Sequence, residues 1–406
     1  MKILHTADWH IGKILHKHPL EDELFHFFDW LIQLIQTESI DVLLVSGDVF
    51  DLANPAVKDR QMYYQFLSRL LGMEIKVIIT GGNHDSVGLL NAPQTILQEL
   101  KITVVGGATE NIADELIEVK NTAGEVELIV AAVPFLRDKD LRNTATDGKY
   151  RSRVEAIQEG IKNHYAELAE ICEVKYPTLP VIAMGHLYAR GVKTSESERE
   201  IQIGNTAMIE SSIFSETFDY VALGHIHRPQ VIGENEQIRY SGSPIALSFS
   251  EKKDHKIVLV VEVENGKINA PKVFPILKQR ELKKFKGTLE SVKNDLEKYA
   301  PDFPLISFVE IEIVEEQFSS LVLAEVEEMV AGFSENQQFK ILKNRIHFDN
   351  DGKDTSDLFR EGVHIEDLNP LEVFKKKLDL EAVEPSQKAA LLDAFMELLE
   401  MVEQSE

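Results

Sequence analysis

Five short blocks carry the residues that could do chemistry. They are Asp8-Trp9-His10, Gly47-Asp48-Val49-Phe50-Asp51, Gly82-Asn83-His84-Asp85, Gly185-His186 and Gly224-His225-Ile226-His227. Carboxylate and imidazole together suit borderline divalent ions such as Mn, Fe or Zn. On an extended segment alternate side chains point the same way, so each D-x-H or H-x-H can offer two ligands to one site. Glycine beside a ligand permits tight turns and close backbone approach. Asp8, His10, Asp48, Asn83, His186, His225 and His227 are too many ligands for one ion. They fit two ions that share a bridging carboxylate. Each block alone has an ordinary explanation. A GD or GN after a strand is usually a turn, and Asn83-His84-Asp85 could be a loop with a helix cap. The metal reading rests on all five blocks standing at the end of a strand.

The elements that must position them follow from periodicity. Ile3–His5 is a short apolar run that leads to Asp8. Val42–Val45 leads to Asp48, Ile75–Ile79 to Asn83, Val181–Met184 to His186, and Tyr220–Leu223 to His225. Between the early strands lie helical patterns at Phe25–Ile35, Gln61–Leu71 and Ala92–Leu100. Strand–helix alternation of this kind indicates an α/β fold, whose ligands bind outside the carboxyl ends of the strands. Thr103–Val105, Leu128–Val133, Ile238–Tyr240 and Ile257–Val263 supply further strands and suggest a second sheet packed on the first. This unit is expected to end near residue 275.

Residues 276–348 suggest a smaller α+β domain. Thr288 can cap a helix with apolar positions Leu289, Val292, Leu296 and Tyr299. Phe308–Val314 alternates as a strand, Leu321–Val330 is helical, and Phe339–Phe348 alternates again. Residues 349–368 are charged and contain glycine, as a linker does. Two helices are expected over 369–406. Asn369-Pro370-Leu371-Glu372 is a helix start. Leu391, Leu392, Phe395, Leu398, Leu399 and Val402 form an apolar stripe in a segment, 381–406, with one Lys and seven acids. That stripe needs cover, either from its own domain or from a partner's groove.

Composition bounds the function classes. The 406 residues hold 43 Lys+Arg and 68 Asp+Glu, a net charge of −25. Hydrophobic residues are 44% and charged residues 27%, which fits a folded globular chain. Cys172 is the lone cysteine, so an intrachain disulfide and a multi-Cys zinc site are excluded. No apolar run approaches the roughly 18–20 residues of a membrane span, and no secretory signal opens the sequence. The chain is expected to be cytoplasmic and to have no membrane partner. By itself the acidity argues against general nucleic-acid binding. It is spread unevenly, however: residues 271–406 carry 17 Lys+Arg against 29 Asp+Glu. Two divalent ions would make the cleft locally positive.

The ordered set D-x-H, G-D-x-x-D, G-N-H-D, G-H and G-H-x-H resembles the signature of the calcineurin-like metallophosphoesterases. The text Ile3-Leu4-His5-Thr6-Ala7-Asp8-Trp9-His10-Ile11-Gly12-Lys13, the Gly224–Arg228 block and Tyr240-Ser241-Gly242-Ser243-Pro244 are similar to the SbcD-type, double-strand-break-repair exonuclease branch. The likeness is strong over residues 1 to about 260. It implies a two-sheet sandwich flanked by helices, followed by a small α+β capping domain for DNA recognition and C-terminal helices. It implies that Asp8, His10 and His227 hold one metal, that Asn83, His186 and His225 hold another, and that Asp48 bridges them. Mn2+ is the ion pair's implied identity. His84 would act on the substrate, with Asp85 orienting it. Asp51 stands where archaeal relatives carry a second histidine, and would act here from behind the ligands.

The resemblance also implies 3′→5′ exonuclease action on duplex DNA and endonuclease action on hairpins or single strands. It implies a homodimer, for which the helices near Gln61–Leu71 and Ala92–Leu100 are candidates. A coiled-coil ATPase of the SbcC type would be gripped by the terminal helices. Lys13, His16, Arg190 and Arg228 are candidate phosphate contacts, although a solvated loop explains Lys13 and His16 as well. A phosphomonoesterase or small-molecule phosphodiesterase would share the same metal motif. A metal-dependent scaffold without catalysis is disfavoured by His84-Asp85, because a pure binding site needs no extra histidine over the substrate.

Overall fold

The computed structural model describes residues 1–141, 153–189, 191–195, 208–316 and 320–348, together with Leu378, Lys388, Leu391, Leu392 and Phe395. The linker expected at 349–368, most of the terminal helices and Arg190 lie outside the described residues.

The chain begins with β1 (Lys2–Thr6), a small hairpin of β2 (Ile14–Leu15) and β3 (His18–Pro19), and α1 (Glu21–Glu38). Next come β4 (Val42–Ser46), α2 (Val57–Arg69), β5 (Lys76–Thr80), α3 (Val87–Asn91), α4 (Gln94–Glu99) and β6 (Ile102–Val105). Then follow β7 (Leu116–Lys120), β8 (Val126–Ala132), α5 (Asp138–Leu141), α6 (Arg153–Lys175), β9 (Val181–His186), β10 (Tyr220–Gly224), β11 (Gln230–Ile232) and β12 (Asn235–Tyr240). The chain returns through β13 (Ile257–Glu264), β14 (Lys267–Ile268) and β15 (Lys272–Pro275).

Two sheets result. One has the order β14-β13-β1-β4-β5-β6, with β15 also on β13; the other has the order β11-β12-β10-β9-β8-β7. In the first, β1, β4, β5 and β6 are parallel and β13 is antiparallel to β1. In the second, β8, β9, β10 and β12 are parallel, and the edge strands β7 and β11 run antiparallel.

Strand parity builds the layers, because successive side chains leave opposite faces. Leu43 and Val45 of β4 face α1 and α2, in a core with Phe27, Phe28, Leu31 and Phe66. Val42 and Leu44 face the other way, against Leu128, Val130, Ile182 and Ala222 of the second sheet. The outer face of that sheet packs Ile129, Ala183 and Val221 with Tyr165 and Leu168 of α6. Both faces of both sheets are therefore apolar, as sheets covered on each side must be. Helix α1 carries Glu21, Asp22 and Glu23 in its first turn, which suits the positive end of the helix dipole. It buries Leu24, Phe27, Phe28, Leu31, Ile32 and Ile35 at three- and four-residue spacing.

The sequence pattern locates most of these elements and misses some. The helix expected over Ala92–Leu100 is α4; a further short turn, α3, which the pattern does not show, precedes it and is separated from it at Ala92-Pro93. Proline lacks the N–H that would continue α3. Helix α6 does not show in the pattern, because its polar residues mask a buried stripe of Ile157, Ile161, Tyr165, Leu168 and Cys172.

Beyond β15 lie β16 (Leu282–Gly287), α7 (Leu289–Lys298), β17 (Ser307–Glu315), α8 (Ser320–Gly332) and β18 (Phe339–Phe348), with a sheet of order β16-β17-β18. The compact units do not divide at residue 275. Among the described residues, one comprises those of 1–285, 295–311 and 330–344; the other comprises those of 286–294, 312–329 and from 345 on. The chain passes between them repeatedly, so a cut at one sequence position cannot separate them.

Candidate metal centre

The carboxyl ends of β1, β4, β5, β9 and β10 carry all five blocks. The two sheets deliver them to one place because the ends of their strands are tied together. Ser46 Oγ, at the end of β4, donates to the Ala222 carbonyl of β10 (2.9 Å). His186 Nδ1 donates to the Ser46 carbonyl (3.0 Å). The loops after β1 and β4 also zip together through Asp8 N to Gly47 O (3.1 Å), His10 N to Asp48 O (3.0 Å) and Ile11 N to Val49 O (2.9 Å).

Alternation aims the side chains. Trp9, between Asp8 and His10, is buried against Phe27, Phe28 and Phe66. Ile226, between His225 and His227, is buried in the other helix-facing core. Each apolar middle residue anchors its loop and leaves its two neighbours facing the site. Asp8, His10, Asp48 and His225 have φ of 54°, 47°, 50° and 97°. Left-handed backbone at four such positions costs free energy and is typical of functional loops. Two glycines permit the crowding: a Cβ on Gly82 would lie 2.1 Å from Asp48 Oδ1, and one on Gly224 would lie 1.8 Å from the Ser46 carbonyl.

Three overlapping clusters emerge: Asp8, His10 and His227; His10, Asp48 and His84; Asp48, His186 and His225. All of these side chains are buried. Asp48 Oδ2 is 3.2 Å from His186 Nε2 and 3.6 Å from His10 Nε2, so one carboxylate faces both groups. Asn83 Oδ1 lies 2.9 Å from His186 Nε2 and 3.2 Å from His225 Nδ1.

These atoms fit divalent cations. Asp8 Oδ2 and His225 Nε2 are buried and have no hydrogen-bond partner among the described residues, which is costly for polar atoms. His10 Nε2 and His227 Nε2 face each other at 3.1 Å. His10 Nδ1 is occupied by Asp51 Oδ1 (3.2 Å) and His227 Nδ1 faces Glu251 Oε1 (3.7 Å). With a proton on each Nδ1, both Nε2 lone pairs would converge, an arrangement that a cation relieves. Burial pushes the Asp8 carboxyl up to about 7, against the pull of His186. For Asp48, burial acts upward but His186, His10 and His84 outweigh it and hold the carboxyl well below the usual range. Burial acts to lower His186, and Asp48 overcomes it, raising the imidazole to about 9. A bound cation would displace that proton, since a ligating imidazole must be neutral.

His84 lies at the same cleft. Its Nδ1 donates to the Asp51 carbonyl (2.7 Å), which leaves Nε2 directed toward Asp48 Oδ2 at 4.0 Å. Asp85 does not play the part expected of it. Its carboxylate accepts the backbone N–H groups of Gly82 (2.9 Å), Phe50 (2.9 Å) and Val49 (3.1 Å), so it braces the two loops, while the carbonyl of Asp51 takes the His84 ring. Burial raises the Asp85 carboxyl to about 6, with Asp48 adding to the shift.

The candidate phosphate contacts fare differently. Lys13 pairs with Asp51 (3.1 Å), and His16 stacks on Phe249 with 5.9 Å between centroids. Arg228 is directed at Asp254, with Nε 3.0 Å from both carboxylate oxygens. Sequence reasoning misses Glu251, Lys256 and Arg137. Arg137 Nη2 donates to the Asp85 carbonyl (2.9 Å). Glu251-Lys252-Lys253-Asp254 reads as a solvated charge run, and nothing in its periodicity marks Glu251 as buried.

A family model for calcineurin-like phosphoesterases matches residues 1–229. SbcD of Escherichia coli K12, one of the components of the nuclease SbcCD, is 32% identical over 403 residues, covering 97% of each chain. This chain belongs to the SbcD-type calcineurin-like phosphoesterases. The SbcD of Rhodobacter capsulatus is 36% identical over 272 residues, covering 64% of this chain and 66% of its own. The SbcD of Bacillus subtilis is 33% identical over 274 residues, covering 66% and 67%. At 97% coverage the Escherichia coli match includes most of the segment beyond residue 275. Among the described residues no helix is long and apolar enough to cross a membrane.

Proposed function

We propose that this chain is the nuclease subunit of an SbcCD-like complex and hydrolyses DNA phosphodiesters with two divalent ions, which we take to be Mn2+. The observation that carries the reading is Asp48, whose carboxylate is shared by two histidine clusters at the carboxyl ends of strands from both sheets. Asp8, His10 and His227 would hold one ion, Asn83, His186 and His225 the other, and Asp48 both. When bound, such a pair clamps a phosphodiester and lowers the pKa of a water for attack on phosphorus.

The chain's own residues do the rest. His186 and His10 are fixed in one tautomer by Ser46 and Asp51, so their Nε2 atoms face the cleft. His84 Nε2, oriented by the Asp51 carbonyl, is placed to stabilise charge or deliver a proton to the leaving oxygen. Residues 276–348 would cap the site and recognise DNA, and 369–406 would grip the ATPase partner. Homodimers would form through the helical surfaces of the phosphoesterase domain. In that setting the chain acts as a 3′→5′ exonuclease on duplex ends and an endonuclease on hairpins.

The test is a Mn2+ assay of hairpin DNA against a phosphomonoester, with and without an SbcC-type partner. Hairpin cleavage is expected; hydrolysis of the monoester alone would replace this reading with a phosphomonoesterase. Deleting residues 368–406 should release the ATPase and spare Mn-dependent cleavage. Retained co-purification would refute the role given to that segment.

A further inference from the structure

We propose that Glu251 and Lys256 are a buried positioning pair that fixes the ring of His227 for metal binding. The inference rests on the two-ion reading and deepens it. Lys256 Nζ donates to Glu251 Oε2 (2.6 Å), Ser243 Oγ (2.8 Å) and the carbonyl of His227 (2.9 Å). Its three protons thus have three acceptors. Glu251 Oε1 faces His227 Nδ1 at 3.7 Å and accepts from Ser195 Oγ (3.2 Å). The pair therefore meets His227 at its backbone and at its ring.

The arrangement has a counterpart across the cleft. Lys13 Nζ is 3.1 Å from Asp51 Oδ1, and that same oxygen is 3.2 Å from His10 Nδ1. Each of the two histidines whose Nε2 atoms meet at 3.1 Å is thus backed by a carboxylate, and each carboxylate by a lysine. A carboxylate behind an imidazole fixes the Nδ1–H tautomer and makes Nε2 a better ligand. Lysine keeps that carboxylate charged where burial would otherwise neutralise it. Burying an ion pair is a poor way to gain stability, whereas a charged carboxylate behind an imidazole both orients its lone pair and raises its basicity.

The experiment is Mn2+ titration of metal-free protein by calorimetry, comparing the unsubstituted chain, Glu251→Gln, and Glu251→Gln with Lys256→Met. The double variant removes both charges and leaves no lysine unpaired. One ion is expected to bind about 10–100-fold more weakly in both variants, and the other unchanged. A folded variant that binds both ions as the unsubstituted chain does overturns the inference. An unsubstituted chain that binds fewer than two ions overturns the two-ion reading instead, and does so without any variant. Histidine 15N NMR of the unsubstituted metal-free protein tests the same point independently of variant folding. The His227 signal, assigned by its loss in His227→Gln, should report the Nδ1–H tautomer; the Nε2–H tautomer overturns the proposal.

Discussion

Two histidines are buried along the first strand and the loop that leaves it, and they are built differently. His5 lies between the sheets, within β1. Its Nδ1 meets the Tyr220 hydroxyl (3.0 Å) and its Nε2 meets the Leu223 carbonyl (3.2 Å). Both ring nitrogens are satisfied by neutral groups, and burial lowers its pKa to about 3. Five residues on, His10 sits at φ 47° with Nε2 against another imidazole nitrogen. Around it Asp8 and His225 keep buried atoms without partners among the described residues. Burial alone therefore does not mark a functional histidine. Strain and unmet polar atoms, gathered in one place, do.

The sharpest way to break this contrast is Asp48→Ala. Asp48 is the carboxylate that both clusters share, so the variant should lose both ions and all measurable DNA cleavage. Metal content read by mass spectrometry checks it, and a variant that retains two ions would show that Asp48 is no bridge.

His84→Gln comes next. Its ring belongs to the crowded end of the contrast, but its role is with substrate. Cleavage should fall by about 10²–10⁴-fold, the usual weight of a general acid–base group, with metal occupancy unchanged. Loss of an ion in this variant would make His84 a ligand, as its position beside His10 and Asp48 permits.

Asp85→Ala should act mainly on folding. Three backbone N–H groups would lose their acceptor, and a buried unsatisfied donor costs about 1–3 kcal/mol. A clear drop in denaturation midpoint is expected. An unchanged midpoint with lost activity would return Asp85 to a direct role in catalysis.

The effect of His5 is absent at neutral pH and appears only in acid. Its folded pKa lies below the unfolded value, so the unfolded chain binds the extra proton between about 6.5 and about 3. The stability it contributes is present above 6.5 and is lost as pH falls through that window, by at most about 1.4 kcal/mol per pH unit. His5→Gln, which cannot titrate, should flatten the acid limb of a melting-temperature profile. Identical profiles would mean that His5 is not held neutral.

Much of this is legible in the sequence because it is local. The strands over Val42–Val45 and Tyr220–Leu223 announce themselves as apolar runs, and the ligands follow at fixed offsets. The helix face at Phe25–Ile35 is visible from its spacing. Helix α6 is not, since Arg153–Lys175 mixes charged residues into its buried stripe. Glu251 and Lys256 are not, because a residue's burial depends on what the rest of the chain lays over it. Asp85 misleads for a related reason: adjacency to His84 in sequence suggests a side-chain partner, and the loop turns its carboxylate onto backbone N–H groups instead.

The sequence by itself determined the inventory: which side chains could bind a metal, and that each leaves a strand end. Residue type and period-two alternation are enough for that, since both are properties of a few neighbouring residues. Only the tertiary structure decided the pairing. That Asp48 faces both clusters, that Asp51 and Glu251 stand behind His10 and His227, and that the Asp51 carbonyl turns His84 all depend on two sheets stacked face to face with the ends of their strands brought together. Those contacts join residues far apart in the chain, and their geometry is set by packing that no local pattern encodes.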